Sequence, residues 1–326
     1  MKAAVQRRYG SPDTVTIEDV PTPVPRNDDV LVRVHAATVG IVDSLARRGA
    51  PAYARLYFGV RRPRFTTLGS DFAGQIEAVG PDVTRFGVGD EVFGTTAPRF
   101  GAHAQYVCLS EQAAVAPKPA NLTYAGAAAL VDTTALCFLR DKANLRPGQT
   151  ILVNGASGAV GTTAVQLAKG FGATVTGVCG GAGTELVRKL GADSVIDYTQ
   201  ADFTRGGQTY DVIFDVAGKS SFARCRASLN PGGIYLTTAA SLTILLQMLW
   251  TSRFGARRAA VAFTGMRAAA EKRKDLLYIR ELAEASALVP VVDADYPLPR
   301  IADAYRHVDA GHKKGNVVVT MTQPSA

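Results

Sequence analysis

The stretch TILVNGASGAVGTTAVQLAKGFG, residues 150–172, limits the possible folds more than any other part of the chain. TILVNGA reads as a strand and AVGTTAVQLAKGFG as a helix, and Gly155, Gly158 and Gly161 fall in the turn joining them. In that context each glycine has its own task. The first permits a tight turn, the second lets backbone approach a pyrophosphate, and the third allows close helix–strand contact. N–H groups at the helix start then face the phosphates, aided by the helix dipole. The turn predicts a dinucleotide site at Gly155, Ser157, Gly158, Ala159, Val160 and Gly161.

The surroundings extend the pattern. ATVTGVC (173–179), SVIDY (194–198), YDVIFDVAG (210–218) and GGIYLTTA (232–239) read as further strands with helices between them, and AAVAFTG (259–265) as a sixth. Strands alternating with helices at this spacing predict an α/β, Rossmann doubly wound parallel sheet. The first 120 residues differ. VLVRVHAATVG (30–40), FAGQIEAVG (72–80) and GDEVFGTT (89–96) are β-rich and punctuated by Gly and Pro turns. LTYAGAAALVDTTALCFLRDKA reads as a helix that opens the second domain. In the tail, helices over 274–288 and within 296–311 precede a terminal strand, NVVVTM (316–321), whose partners must come from the N-terminal region. The expected domains are therefore 1–121 with 267–326, and 122–266.

Length and charge exclude several classes. A chain of 326 residues, 47% hydrophobic and 20% charged, suits two globular domains. MKAAVQRRYG runs straight into a strand, and the longest apolar run, AASLTILLQMLW (239–250), is well short of the roughly 20 residues that span a bilayer. The expectation is a cytoplasmic protein with no membrane span. The net charge of +8 gathers at Arg61, Arg62 and Arg64, at Arg253, Arg257 and Arg258, and at Lys272, Arg273 and Lys274. Aromatics are not interleaved there as in a stacking platform, so the reading is no nucleic acid; the charge is solvated surface or attracts an anionic small molecule. Cys108, Cys137, Cys179 and Cys225 are far apart and form no CxxC, which argues against structural zinc and for small buried side chains. His35, His103, His307 and His312 have no triad or metal spacing.

Cofactor choice rests on the loop after the second strand, Cys179-Gly180-Gly181-Ala182-Gly183-Thr184. An acidic residue there would hold the ribose hydroxyls of NAD, and a basic one the 2′-phosphate of NADP. The loop has neither. Arg188 and Lys189 lie one turn further on.

With these residues in view, the chain resembles the zinc-free, quinone oxidoreductase-like (zeta-crystallin type) branch of the medium-chain dehydrogenase/reductase superfamily along its whole length. The matching stretches include KAAVQRRYGSPDTV, VPTPVPRNDDVLVRVHAATVG, LGSDFAGQIEAVGPDVTRFGVGDEVFG, GASGAVGTTAVQLAK, KLGADSVIDY, PGGIYLT and GHKKGNVVV. The resemblance implies a discontinuous, mostly-β, GroES-like substrate domain around the Rossmann domain. It also implies a homodimer, and metal-free reduction of a quinone, an enone or a related lipophilic carbonyl. NADP(H) is the implied cofactor, with NAD(H) as the alternative. Zinc-dependent relatives hold a Cys near position 40 and a His-Glu pair near position 70, where this chain has Gly40 and LGSDFAG. Three departures stand out. Gly40 replaces a polar Asn, AAALVDTTAL is two residues shorter than the usual AAALPFGGTTAL, and GGAG replaces a loop with Ser and a cation.

Site residues follow. Cys179, Gly180 and Tyr198 are expected at the adenosine end, and Val216, Ala217, Thr237 and Thr238 at the nicotinamide end with Thr134. Asp43 is open to proton transfer or to structural hydrogen bonding, and Asp132 to facing substrate or bonding locally. The apolar-then-basic segment SLTILLQMLWTSRFGARR (241–258) has three readings: a buried helix, a lining for a lipophilic substrate with Met248 and Trp250, or a membrane-surface contact.

Overall fold

The computed structural model describes residues 1–321, and the chain divides into two compact units, Met1–Asp132 with Gly265–Ala326, and Thr133–Thr264. The first unit opens with an antiparallel pair, β1 (Lys2–Gln6) and β2 (Val15–Asp19). The long strand β3 (Asp29–Val39) follows, then α1 (Ile41–Arg48), the short α2 (Arg55–Phe58) and β4 (Asp71–Val79). β5 (Glu91–Thr95), β6 (Tyr106–Ser110), β7 (Ala114–Pro117) and α3 (Tyr124–Ala128) complete this part. Alternation of apolar residues in β3 buries Val30, Val32 and Val34 against Phe72, Ile76 and Val92.

The helix expected over 122–143 is broken. Ala127, Ala128 and Val131 pack with Ala36, Ala73 and Phe93 of the first unit, so 122–132 belongs there and not with the dinucleotide unit. Helix resumes as α4 (Thr134–Leu136) and widens into a π-helical turn over Cys137–Lys142 in the second unit. The alanines before Asp132 serve the first core and Ala135 is buried in the second unit.

The second unit contains β8 (Thr150–Asn154), α5 (Ala159–Gly170), β9 (Thr174–Cys179), α6 (Thr184–Lys189), β10 (Ser194–Asp197) and β11 (Tyr210–Asp215). The short α7 (Phe222–Cys225), β12 (Leu229–Thr237), α8 (Leu242–Phe254) and β13 (Arg258–Val261) follow. All six strands run parallel in the order β10-β9-β8-β11-β12-β13, the doubly wound arrangement. Cys137, Cys179 and Cys225 are buried and Cys108 half-buried, all as free thiols.

The chain returns to the first unit with α9 (Ala269–Glu284), β14 (Val292–Pro297), α10 (Ile301–Ala310) and β15 (Asn316–Thr320). β15 pairs antiparallel with β3, and β14 parallel with β15, closing a sheet of order β14-β15-β3-β4-β5-β7 with β6 on β3. The buried helix among the readings of 241–258 needs correction. Ile244 and Thr251 of α8 face inward, but Leu242, Leu246, Leu249, Trp250 and Phe254 are exposed. A helix covering a sheet edge has one inward face, and α8 is apolar on both.

Candidate active site

The glycine turn leaves β8 at Asn154. Gly155 has φ 89°, and a Cβ there would stand 3.1 Å from Ala217. A Cβ on Gly161 would stand 2.0 Å from the Gly155 carbonyl oxygen. These two glycines are required by the protein's own packing. Gly158 is not: a Cβ there would meet only the Gly155 oxygen, at an ordinary 3.5 Å. Gly158 is also the N-cap of α5 and supplies no side-chain cap. The first-turn N–H groups of Ala159, Val160 and Gly161 precede any intrahelical acceptor. Uncapped N–H groups behind a backbone with no side chain suit the pyrophosphate of a dinucleotide.

Where the adenosine end is expected, Cys179 closes β9 in register with Asp197 of β10. Cys179 is 1% exposed, its thiol lies 3.4 Å from where a Gly183 Cβ would stand, and its carbonyl accepts from the Tyr198 N–H at 3.1 Å, so its role is to hold the loop in place. Burial first, then the Asp197 carboxylate, pushes that thiol's pKa up, while Arg188 acts in the opposite direction. A Cβ on Gly183 would lie 2.8 Å from Ser157 Cβ, so the loop seats on the glycine turn. A Cβ on Gly180 would come 3.2 Å from the Tyr198 hydroxyl, which places these two expected residues side by side. The loop has no charge of its own, yet one reaches it. A Cβ on Gly181 would lie 2.8 Å from Asp197 Oδ2, while Asp197 Oδ1 accepts from the Thr199 N–H and hydroxyl at 2.9 and 2.8 Å. Asp197 was not among the expected residues. Its only sequence signal is its place just before Tyr198 in VIDY.

Where the nicotinamide end is expected, parallel register brings Asn154, Asp215 and Thr237 together at the carboxyl ends of β8, β11 and β12. Buried Asp215 accepts from Asn154 Nδ2 at 2.8 Å, Ser220 N–H at 2.8 Å and the Tyr235 hydroxyl at 2.9 Å. Burial and that carboxylate raise the Tyr235 phenol far above its usual range, so it stays a donor. The Val216 and Ala217 N–H groups donate to the Asn154 carbonyl at 3.0 and 3.1 Å, and Thr238 Oγ1 donates to the Val216 carbonyl at 3.0 Å. Thr237 is buried and accepts from Ala239 N–H, so its hydroxyl braces the strand end. Thr134 shares a 2.9 Å hydroxyl–hydroxyl hydrogen bond with Thr264, tying the two ends of the second unit together.

Within the first unit, Asp43 is 2% exposed, with Oδ2 taken by Gly40 N–H at 2.8 Å and Oδ1 by Gly69 N–H at 3.1 Å. Burial raises its pKa while His103 opposes the shift. Such a carboxylate braces the β3–α1 and β4 entry turns and is sealed from any ligand, so the proton-transfer role open to it is corrected to a structural one. A second acid of this unit, absent from the expected list, is less deeply buried. Asp71 begins β4, is half-buried, and is pushed up to about 7 by burial first, then by Asp132; Asp43 adds to this, and Thr95 and Ser70 hydrogen bonds oppose it. Asp132 thus acts on an acid of its own unit. Buried Lys272 also answers to Asp71: burial lowers its pKa and Asp71 opposes that, while Nζ donates to the carbonyls of Ala97 and Gly265. Burial likewise lowers Lys313 to about 8, against Asp293 and Asp132. Among the described residues, no three His, Cys, Asp or Glu side chains gather as a metal site.

A doubly wound parallel sheet with its glycine turn, a carboxylate at the second-strand loop and a separate β-rich unit define a dinucleotide-binding class of fold. Residues 26–120 match the alcohol dehydrogenase GroES-like domain, and residues 190–319 match the family described as zinc-binding dehydrogenase. The mitochondrial NAD(P)H oxidoreductase RTN4IP1 of Bos taurus is 30% identical over 98% of this chain and 89% of its own length. The chloroplastic NADPH-dependent alkenal/one oxidoreductase of Arabidopsis thaliana is 31% identical over 98% of this chain and 79% of its own. The structure of the quinone oxidoreductase from Coxiella burnetii superposes with a TM-score of 0.87 at 26% identity, covering 99% of each chain. This chain belongs to the medium-chain dehydrogenase/reductase superfamily, in its zinc-free, quinone oxidoreductase-like branch.

Proposed function

We propose that the protein reduces quinones, enones or related conjugated carbonyls with NADPH or NADH as the hydride donor. The observation that carries this reading is Gly158, a glycine that the protein's own packing does not require, at the uncapped start of α5. When bound, the nicotinamide supplies a hydride to the electron-poor β-carbon, an acceptor already electrophilic without a metal. The N–H groups of Ala159–Gly161 hold the pyrophosphate. Gly180 and Tyr198 flank the adenosine, and Val216, Ala217 and Thr238 fix the nicotinamide at strand ends that Asp215 locks together. The enolate formed on the substrate needs a proton. In this reading solvent supplies it. The same reading makes the protein a cytoplasmic homodimer, paired through the outer edge of β13, the last strand of the parallel sheet.

Single-turnover oxidation of NADPH with a panel of quinones and α,β-unsaturated ketones tests this. Substrate-dependent loss of reduced-nicotinamide absorbance, with deuterium from labelled cofactor appearing in product, is the expected result. A folded protein that binds neither NADPH nor NADH at saturation overturns the reading in favour of a redox-neutral or non-catalytic role.

A further inference from the structure

The segment 44–70 has no Asp or Glu and six arginines, Arg47, Arg48, Arg55, Arg61, Arg62 and Arg64. Arg47 is buried and bonded to Asp309, but Arg62 stands exposed on the loop 59–64 of the first unit. That loop is closed on itself. The Arg64 N–H donates to the Phe58 carbonyl at 2.6 Å, and Gly59, at φ 116°, comes so close to Arg62 that a Cβ would stand 2.1 Å from its carbonyl oxygen. It is also seated on the hairpin of β1 and β2. The Tyr9 hydroxyl donates to the Gly59 carbonyl at 2.5 Å, and the Gln6 N–H donates to the Thr66 carbonyl at 2.7 Å. Backbone held this way positions the Arg62 side chain before any ligand arrives.

Between loop and hairpin lies a cavity of about 480 Å³, with Arg7, Arg8, Arg62, Asp13 and Glu18 in its lining. A cavity of that size takes a small metabolite. Its two carboxylates are already engaged. Arg7 forks onto Glu18, with Nη2–Oε2 at 2.6 Å and Nε–Oε1 at 3.3 Å, and Asp13 holds Arg306 of α10. Arg8 and Arg62 have no carboxylate partner among the described residues, so four guanidinium groups meet two carboxylates here. The excess of two positive charges matches the roughly 1.5 to 2 negative charges of a phosphomonoester near pH 7. Guanidinium forks also fit phosphate oxygens in geometry. Glu18 and Asp13 in the same lining repel the extended phosphate chain of a nucleic acid, whereas one phosphate needs only the two free arginines.

We propose that the cavity between the β1–β2 hairpin and the 59–64 loop binds a phosphate dianion, free or as the phosphomonoester of a small metabolite, through Arg8 and Arg62. The site belongs to the first unit, apart from the glycine turn of the second, and is read without turnover.

Phosphorus NMR of ribose 5-phosphate and of inorganic phosphate, each titrated with the full chain, tests this. The resonance broadens and saturates, and ribose does not compete. A tighter midpoint for ribose 5-phosphate makes a phosphorylated metabolite the occupant, and equal midpoints make it free phosphate; either result supports the site. Arg8→Gln with Arg62→Gln weakens binding about tenfold, and Glu18→Gln, which frees the Arg7 guanidinium, tightens it about threefold, with circular dichroism the same in all three proteins. Saturating NADH, which has no phosphomonoester, leaves the midpoint where it was. Absence of saturation at millimolar ligand overturns the proposal. So does a midpoint that the double variant leaves unchanged, which assigns the broadening to general surface charge. Displacement by NADH also overturns it and assigns the phosphate to the glycine turn.

Discussion

Gly158 and Gly161 separate what the fold needs from what a ligand needs. Gly161→Ala drives a methyl into the Gly155 carbonyl, and overpacking of that kind costs about 1–3 kcal/mol, read as a lower urea midpoint. Gly158→Ala meets no such contact, so the midpoint stays within error while NADPH affinity falls about tenfold in a titration. Equal loss of stability in both variants would remove the ligand from the argument. Asp71 makes a second prediction. Its folded-state pKa of about 7 lies above the ordinary carboxylate value, so the native state binds the extra proton and stability falls as pH rises from about 4 to 7. Asp71→Asn flattens that slope between urea melts at about pH 5 and pH 8.

Among the elements, the loop after β9 and the end of β10 meet where the adenosine end is expected. The loop was legible as uncharged, but parallel pairing of Cys179 with Asp197 brings a carboxylate beside Gly181 that no reading of the loop alone could find. A carboxylate there favours ribose hydroxyls and repels a 2′-phosphate. Asp197→Asn is expected to shift the ratio of NADPH to NADH affinity toward NADPH by about three- to tenfold, measured by titrating each cofactor. An unchanged ratio would place the ribose away from Gly181. The helix expected over 122–143 shows the same limit at larger spacing. Its alanines fit helical periodicity throughout, and which sheet each one packs against is invisible in the run itself.

For the molecule as a whole, residues distant in sequence are held by buried polar contacts. The Arg47 guanidinium is fully buried and donates to the Gly10 carbonyl and to Asp309, joining the N-terminal segment, α1 and α10. Nearby, buried His103 bonds the Thr38 carbonyl at 2.9 Å and the Tyr305 hydroxyl at 3.2 Å. Asp309→Ala leaves a buried cation without its counter-charge and is expected to cost about 3 kcal/mol in chemical denaturation, with little effect on NADPH binding by the second unit. A loss under about 1 kcal/mol would mean the guanidinium finds water.

The sequence by itself determined the parallel sheet, its glycine turn and the return of the last strand to the N-terminal region, because each depends on local periodicity or on a residue type that a turn demands. Gly155, Gly158 and Gly161 are such residues, and NVVVTM is such a strand. Tertiary structure alone decided the rest. Asp43 and Asp71 are both acids at the edge of a strand pattern, yet packing seals the first behind two backbone N–H groups and leaves the second half-buried beside Asp132. The apolar run of α8 reads the same whether both faces are covered or one. Burial, charge proximity and the uncovered side of a helix are properties of neighbours in space, and neighbours in space are what a linear pattern does not contain.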